Sequence, residues 1–223
     1  WEIFMTFAAG ATLVIVEREI IHGNTQYFKS YLEEQKVTVV NCTPSYLNLL
    51  TLDSLENLKT IITGGEFPNI EKAQHYSRNH KQYINVYGAT EACIASTYHR
   101  VKPNRNYQSG IPAGKPMSNT QCYVLDQLNN PMPVGVEGEI CISGDGVGRG
   151  YLNDPELTSK KFVPDPFLPK QKMYRTGDLG KWLPNGELLF SGRADEQIKI
   201  RGYRVELGEI EQIMLSHPRV SEV

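Results

Sequence analysis

The sequence predicts an α/β plus β protein, in which a parallel sheet covered on both faces by helices is followed by a small, mainly antiparallel β-unit. Three observations carry that prediction. Over residues 1–101 apolar side chains recur by turns at helical and at strand spacing, as in a parallel sheet with helical crossovers. Proline and glycine then become frequent over 102–116. From 121 onward short strands and tight turns dominate, so the chain divides into 1–101, 102–194 and 195–223.

Taken in order, Ile3, Phe4, Phe7 and Ala8 share a helical face that Gly10 stops, and Thr12, Leu13, Val14, Ile15 and Val16 read as a buried strand. A second helix carries Tyr27, Phe28, Tyr31 and Leu32 on one side. A strand over 37–41, a short helix over 46–50, a strand over 60–63 leading into Gly64-Gly65, a helix over 70–80 and a strand over 83–86 complete the series. In the second unit, strands over 121–125, 137–143, 173–175, 181–183 and 187–190 form an open barrel. Asn185-Gly186 between the last two is a hairpin signal, because this pair accepts the positive φ of a tight turn. Ile198 with Ile200, then Tyr203 with Val205, alternate as a strand pair turning at Arg201-Gly202. Leu207, Ile210, Ile213 and Met214 then open an amphipathic helix, the start of a further subdomain.

With 223 residues, 40% of them hydrophobic, the chain can build a real core. A net charge of −2 and a pI near 6.3, with no basic stripe, exclude nucleic acid as the expected partner. Cys42, Cys93, Cys122 and Cys141 form no CxxC pair, so reduced thiols in a cytoplasmic protein are expected rather than a disulfide or zinc framework. No apolar run reaches membrane-spanning length and no signal peptide is read, so no membrane partner is expected. Trp1 in place of Met, and a helix running on to Val223, point to an internal piece of a longer polypeptide.

In parallel sheets ligands lie beyond the carboxyl ends of the strands. Those ends are Asn41, Ile62 with Gly64, and Val86, an apolar set with one amide and one glycine that suits a small side-chain pocket. Each also has a local use, Asn41 as a cap for the helix after Pro44 and Gly64 as a turn residue. The strand over 83–86 runs into Tyr87-Gly88-Ala89-Thr90-Glu91. Tyr87 offers a flat face to a purine, Gly88 lets the backbone turn closely past it, Thr90 can bond a phosphate oxygen, and Glu91 can hold a hard divalent cation. The same stretch also reads as a strand-to-loop exit with a solvated Glu.

The run from Gly144 to Gly150 is not a dinucleotide fingerprint, since its third glycine would fall on Arg149 and 151–155 cannot open a long helix. A shaping loop is expected there. Asp178, placed after a tight Thr176-Gly177 turn, can accept hydrogen bonds from both vicinal hydroxyls of a ribose, or can cap its own turn. Phe190, at the end of the next hairpin, can pack against the same nucleotide. By composition the charges of 192–211 are a solvated face.

Four stretches in this order carry a family resemblance: Asn85 to Glu91, Gly138 to Leu152, Tyr174 to Asp178, and Gly192 to Glu211. Together they resemble the adenylation domains of nonribosomal peptide synthetases, within the adenylate-forming superfamily that includes acyl-CoA synthetases and firefly-type luciferases. Trp1-Glu2-Ile3-Phe4 is similar to the tail of a further family motif, and the likeness covers essentially the whole chain. It implies a flavodoxin-like α/β layer, a small distorted β-barrel and the start of a small α+β carboxy-terminal subdomain.

The resemblance also implies chemistry: an amino acid is activated by ATP as its aminoacyl adenylate and passed to the phosphopantetheine thiol of a peptidyl carrier protein. Tyr87 matches the tyrosine that stacks on adenine, Thr90 a phosphate contact, Glu91 the Mg²⁺ ligand and Asp178 the ribose-binding carboxylate. Gly65, Asn85, Gly88, Phe190 and Arg193 fall among the nucleotide-binding positions, and Asp195 matches a hinge. Thr90, Glu91 and Lys199 stand as catalytic positions, with Lys199 and Gly202 on a hairpin that enters the site in the thioester-forming arrangement. Ala89 replaces the proline more usual in its motif. Trp1, Asn41, Ile62, Gly64, Val86, Ile94 and Ala95 match the amino acid pocket, and a small hydroxy or polar amino acid is the expected substrate. Neighbouring synthetase domains are expected partners. The resemblance puts a phosphate loop upstream of Trp1 and a catalytic lysine beyond Val223, so this stretch alone is expected to be inactive. An acyl- or aryl-acid ligase of the same superfamily, and a non-catalytic nucleotide-binding module, are the alternative readings.

Overall fold

In the computed structural model the described residues are 2–194, 198–200, 203–205, 210–211, 213–214, 216–217 and 219–220. Helix α1 (Glu2–Ala8) is followed by an irregular stretch, then by α2 (Arg18–His22) and α3 (Thr25–Glu34). The strand expected over 12–16 does not form. Its residues pair with no other strand, and Ile15 is 79% exposed, so the β-favouring composition finds no ladder to join.

The first sheet is built from β1 (Val39–Cys42), β2 (Thr60–Gly64), β3 (Gln82–Tyr87), β4 (Thr97–Arg100) and β5 (Lys115–Pro116), in that spatial order. The first three are parallel, as the alternating pattern predicts. β4 returns antiparallel, because the nine residues between Tyr87 and Thr97 are too few for a parallel crossover. The crossover helices are α4 (Pro44–Asn48) and α5 (Ile70–Arg78). Each starts on a side-chain cap: Thr43 accepts from the Tyr46 amide at 3.3 Å and Asn69 from the Lys72 amide at 2.9 Å. Phe28 and Leu32 of α3, Leu47 of α4 and Tyr76 of α5 meet Val40, Ile61 and Tyr83 of the sheet in one buried cluster. Among the described residues the opposite face, bearing Asn41, Ile62, Gly64 and Val86, is less covered: Val39 is 50% exposed.

The second sheet is antiparallel. It runs β10 (Leu188–Arg193), β9 (Lys172–Trp182), β7 (Gly138–Gly144), β6 (Thr120–Leu125), with β8 (Phe162–Pro164) paired to β9 and α6 (Pro155–Lys161) just before β8. The two strands expected over 173–175 and 181–183 are one long strand. The Thr176-Gly177-Asp178 segment is a bulge within it, and not a tight turn: Ile140 of β7 faces all three residues, and Gly177 takes φ +75. The Asn185-Gly186 hairpin forms between β9 and β10, closed by the Leu183 amide on the Glu187 carbonyl at 2.8 Å. Only Gly186 takes a positive φ there. β11 (Ile198–Ile200) and β12 (Tyr203–Val205) form the separate antiparallel pair read from the alternation.

At one end of the seam, two sets of contacts join the sheets. Gly114 and Leu188 form a bridge, each amide donating to the other's carbonyl at 3.1 and 2.7 Å. A side chain at Gly114 would meet the Tyr98 carbonyl oxygen at 1.9 Å, so the close approach requires glycine. Beside it, buried His99 of β4 bonds Glu187 at 2.8 Å through Nδ1 and Tyr107 at 2.9 Å through Nε2, and Arg105 pairs with the other Glu187 oxygen at 2.6 Å.

Burial lowers the His99 pKa, against the pull of Glu187, so the imidazole is kept neutral in the fold. Burial alone would raise the Glu187 pKa, but bonds from Arg105, Asn185 and His99 bring it down. The folded protein therefore binds the His99 proton less readily than the unfolded chain does. The stabilisation is complete above the unfolded histidine value of about 6.5 and is lost as pH falls through the folded one. Thermal unfolding followed from pH 7.5 to pH 5.5 is expected to show a falling midpoint, with a shallower slope in His99→Gln.

Candidate active site

The site begins where β3 runs out. Tyr87 is the last residue of the strand, but its ring belongs to the core of the second sheet, packed with Ile140, Ile142 and Leu188. Its hydroxyl donates to Asp178 Oδ2 at 2.7 Å. Burial and the Asp178 charge hold the Tyr87 pKa well above the usual phenol value, so the hydroxyl remains a donor. Asp178 is brought to this point by the bulge in β9. Its amide donates to Thr176 Oγ1 at 2.9 Å, and that hydroxyl donates to the Ile140 carbonyl at 2.6 Å. Arg193 at the end of β10 donates to Asp178 Oδ1 at 2.6 Å.

After Tyr87 the chain folds back sharply. The Ser96 amide donates to the Tyr87 carbonyl at 2.7 Å, and the Ile94 amide to the Ala89 carbonyl at 2.9 Å. A β-carbon at Gly88 would lie 2.5 Å from the Ile94 carbonyl oxygen. Ala89 takes φ −108, outside the range a proline ring allows. Thr90–Ala92 form a short 3₁₀ turn, and Cys93 and Ile94 follow with φ +60 and +72. Two successive left-handed residues, one of them β-branched, are costly and are held here by the surrounding bonds.

Two cavities open along this fold-back. The first, of about 330 Å³, is lined by Asn41, Gly64, Val86, Ile94 and Ala95 together with Thr90, Tyr174 and Thr176. The second, of about 490 Å³, is lined by Asn85, Tyr87, Ile111, Ala113, Phe67 and Phe190. Gly65, Val86, Gly88, Asp178 and Arg193 line both, so the cavities meet. In the second, Phe190 lies 5.0 Å from Phe67 and 5.7 Å from Tyr87 between ring centroids, giving a set of aromatic faces with a carboxylate at one end.

The expected residues are placed unevenly. Asn41, Gly64, Val86, Ile94 and Ala95 come together, whereas Ile62, on the same strand face, lines neither cavity. Asn41 donates to Glu2 Oε1 at 2.6 Å, which brings Glu2 to the cavity wall as well. Asn85 spends its amide on the Pro112 carbonyl at 2.9 Å. Gly64 is pressed on Val86, whose Cγ2 would lie 2.7 Å from an added β-carbon. Trp1, Asp195 and Gly202 lie outside the described residues, as does the Lys199 side chain.

Glu91 lines neither cavity, although Thr90 beside it lines the first. Tyr151 donates to its Oε1 at 2.7 Å, and the Tyr151 and Tyr174 hydroxyls are 3.3 Å apart. Burial, the Tyr151 bond and the Glu91 charge raise the Tyr174 pKa, so that hydroxyl too stays protonated. No group of three or more His, Cys, Asp or Glu able to hold a metal is found among the described residues. The candidate ligand is the single Glu91 carboxylate, and its chemistry is compatible with Mg²⁺, an ion commonly held by one or two carboxylates together with substrate phosphates.

Sequence reasoning missed Phe67, Tyr151 and Thr176. Phe67 stands just after the Gly64-Gly65 strand end, where a ligand-facing loop was legible; the other two lie within stretches whose importance was recognised and whose contacts were not.

A cleft beyond the carboxyl ends of a parallel sheet, with an antiparallel β-unit beside it and aromatic faces near a carboxylate, is an arrangement suited to a nucleotide. Residues 1–152 match the family described as AMP-binding enzyme, and the chain belongs to that family. It is similar to tyrocidine synthase 1 of Brevibacillus parabrevis, with 42% identity over 100% of this chain and 20% of the relative. It is similar also to bacitracin synthase 1 of Bacillus licheniformis, with 43% identity over 99% of this chain and 4% of the relative. The chain thus spans a fifth or less of these two relatives. Among solved structures it resembles holo-PA1221, an NRPS protein containing adenylation and PCP domains, with TM-score 0.83, 28% identity, and coverage of 90% of this chain and 36% of the other. The α/β layer followed by a curled antiparallel β-unit is the architecture of these adenylation proteins.

Gly88→Ala is expected to cost about 1–3 kcal/mol in chemical denaturation, because its β-carbon has no room. At Gly65 the space is open but φ is +85, so Gly65→Ala is expected to cost only about 1 kcal/mol.

Proposed function

We propose that this chain is part of an adenylation domain that activates a small polar amino acid with ATP and loads it on the phosphopantetheine thiol of a peptidyl carrier protein. The observation that carries this reading is the meeting of the two cavities at Gly65, Gly88, Asp178 and Arg193. A nucleotide in one and an amino acid in the other would bring a phosphate and a carboxylate together.

In this reading the nucleoside enters the aromatic cavity. Tyr87, Phe190 and Phe67 supply faces for the base, and Asn85, Gly65 and Gly88 shape the floor. Asp178 binds the ribose: each of its oxygens already accepts one protein donor and keeps lone-pair capacity for a sugar hydroxyl. Thr90 contacts a phosphate oxygen, and Glu91 holds Mg²⁺, which when bound neutralises phosphate charge. Gly64, Val86, Ile94 and Ala95 enclose the amino acid side chain, with Asn41 as its polar contact and Trp1 and Ile62 retained from the family match. The amino acid carboxylate attacks the α-phosphorus and pyrophosphate leaves, a transfer that depends on positioning and electrostatics. Asp195 serves as hinge, Lys199 enters for thioester formation, and 1–101, 102–194 and 195–223 are the subdomains. Support for the carrier protein and neighbouring synthetase domains as partners comes from the synthase relatives and the neighbour that contains a PCP domain.

Amino-acid-dependent ATP–pyrophosphate exchange on the native polypeptide tests the proposal. Exchange is expected with a small hydroxy or polar amino acid, reduced by about 10²-fold or more in Glu91→Ala. Exchange confined to acids lacking an α-amino group would make the protein an acyl- or aryl-acid ligase. A folded, ATP-binding protein with no exchange would be a binding module.

A further inference from the structure

We infer that Tyr151 is a positioning residue that sets the Glu91 carboxylate for its divalent cation. This rests on the reading in which Glu91 holds Mg²⁺. The loop between β7 and α6 grips Glu91 twice: the Gly148 amide donates to the Glu91 carbonyl at 2.8 Å, and the Tyr151 hydroxyl donates to Glu91 Oε1 at 2.7 Å. The grip is anchored on its far side. The Tyr151 amide donates to Thr158 Oγ1 at 2.8 Å, and the Tyr151 ring stands edge-on to Phe162 at 5.4 Å. Gly150, at φ +144, brings the loop so near α6 that an added β-carbon would lie 2.3 Å from Thr158 Cγ2.

Glu91 sits in the short 3₁₀ turn that precedes the two left-handed residues and has several rotatable bonds before its oxygens, so the backbone alone does not fix where the carboxylate points. The Tyr151 phenol on Oε1, with the Tyr174 hydroxyl 3.3 Å from it, restricts the rotamer without neutralising the carboxylate, the arrangement by which outer residues orient metal ligands. The shaping loop read from the glycine run thereby acquires a role, since it carries the tyrosine that orients the carboxylate.

The test is binding of a fluorescent ATP analogue to the native polypeptide as Mg²⁺ is titrated, for wild type, Tyr151→Phe, Glu91→Ala and the remote control Tyr123→Phe, together with their thermal midpoints. Tyr151→Phe removes one oxygen and keeps the ring on Phe162. It is expected to raise the Mg²⁺ concentration for half-maximal binding about 10-fold, while metal-free nucleotide binding and the thermal midpoint stay at wild-type values and Tyr123→Phe changes nothing. An unchanged Mg²⁺ requirement in Tyr151→Phe, with Glu91→Ala impaired, would overturn the inference alone, as would a raised requirement that matches an equal loss of metal-free binding. A wild-type protein whose nucleotide binding ignores Mg²⁺, or a Glu91→Ala variant with the wild-type requirement, would overturn the role of Glu91 and this inference with it.

Discussion

The site depends on one hydrogen-bonded group: Tyr87 and Arg193 on the two oxygens of Asp178. Tyr87 ends a strand of the first sheet, and Asp178 and Arg193 lie on adjacent strands of the second, in register with each other. The group is therefore a covalently distant staple across the seam between the sheets, and both cavities open on it. Charge-assisted bonds of this kind, nearly excluded from solvent, are stronger than ordinary ones and costly to leave half-made. A change at any of the three residues would disturb the cleft and the joint between layers together.

Close backbone approaches make room for that group. Glycine at 114 lets the sheets touch, glycine at 88 lets the chain reverse after Tyr87, and glycine at 64 lets β2 lie against Val86. The bulge at 176–178 does the reverse work in β9, adding residues so that Asp178 leaves the ladder with β7 while staying paired with Arg193, and faces the cleft. The His99–Glu187–Arg105 cluster holds the same seam from its other end, which is why its protonation bears on stability rather than on the cleft.

Much of this was legible in the sequence, and the reasons differ by element. β1, β2 and β3 announce themselves because their periodicity and their position before polar, glycine-containing ends agree, and Asn41, Gly64 and Val86 follow as cleft residues from that pattern. The 12–16 run misleads because β-favouring side chains state a preference, and pairing partners decide. The antiparallel turn of β4 follows from a connection length that composition does not emphasise. The Thr176-Gly177-Asp178 bulge reads as a turn because both devices need a glycine at positive φ. Tyr151 and Phe67 were hidden for another reason: their value lies in partners 60 and 123 residues away, Glu91 and Phe190, and no local pattern records such distances.

The central claim is that the two cavities are halves of one site. It is tested most directly by competition binding with a non-reactive sulfamoyl adenosine joined to the amino acid that supports exchange. One equivalent of this analogue is predicted to displace both ATP and the free amino acid from the native polypeptide, and to bind far more tightly than either, since joining two ligands spares the entropy of confining the second. An analogue that leaves either ligand bound beside it would contradict the claim and separate the cavities into two sites.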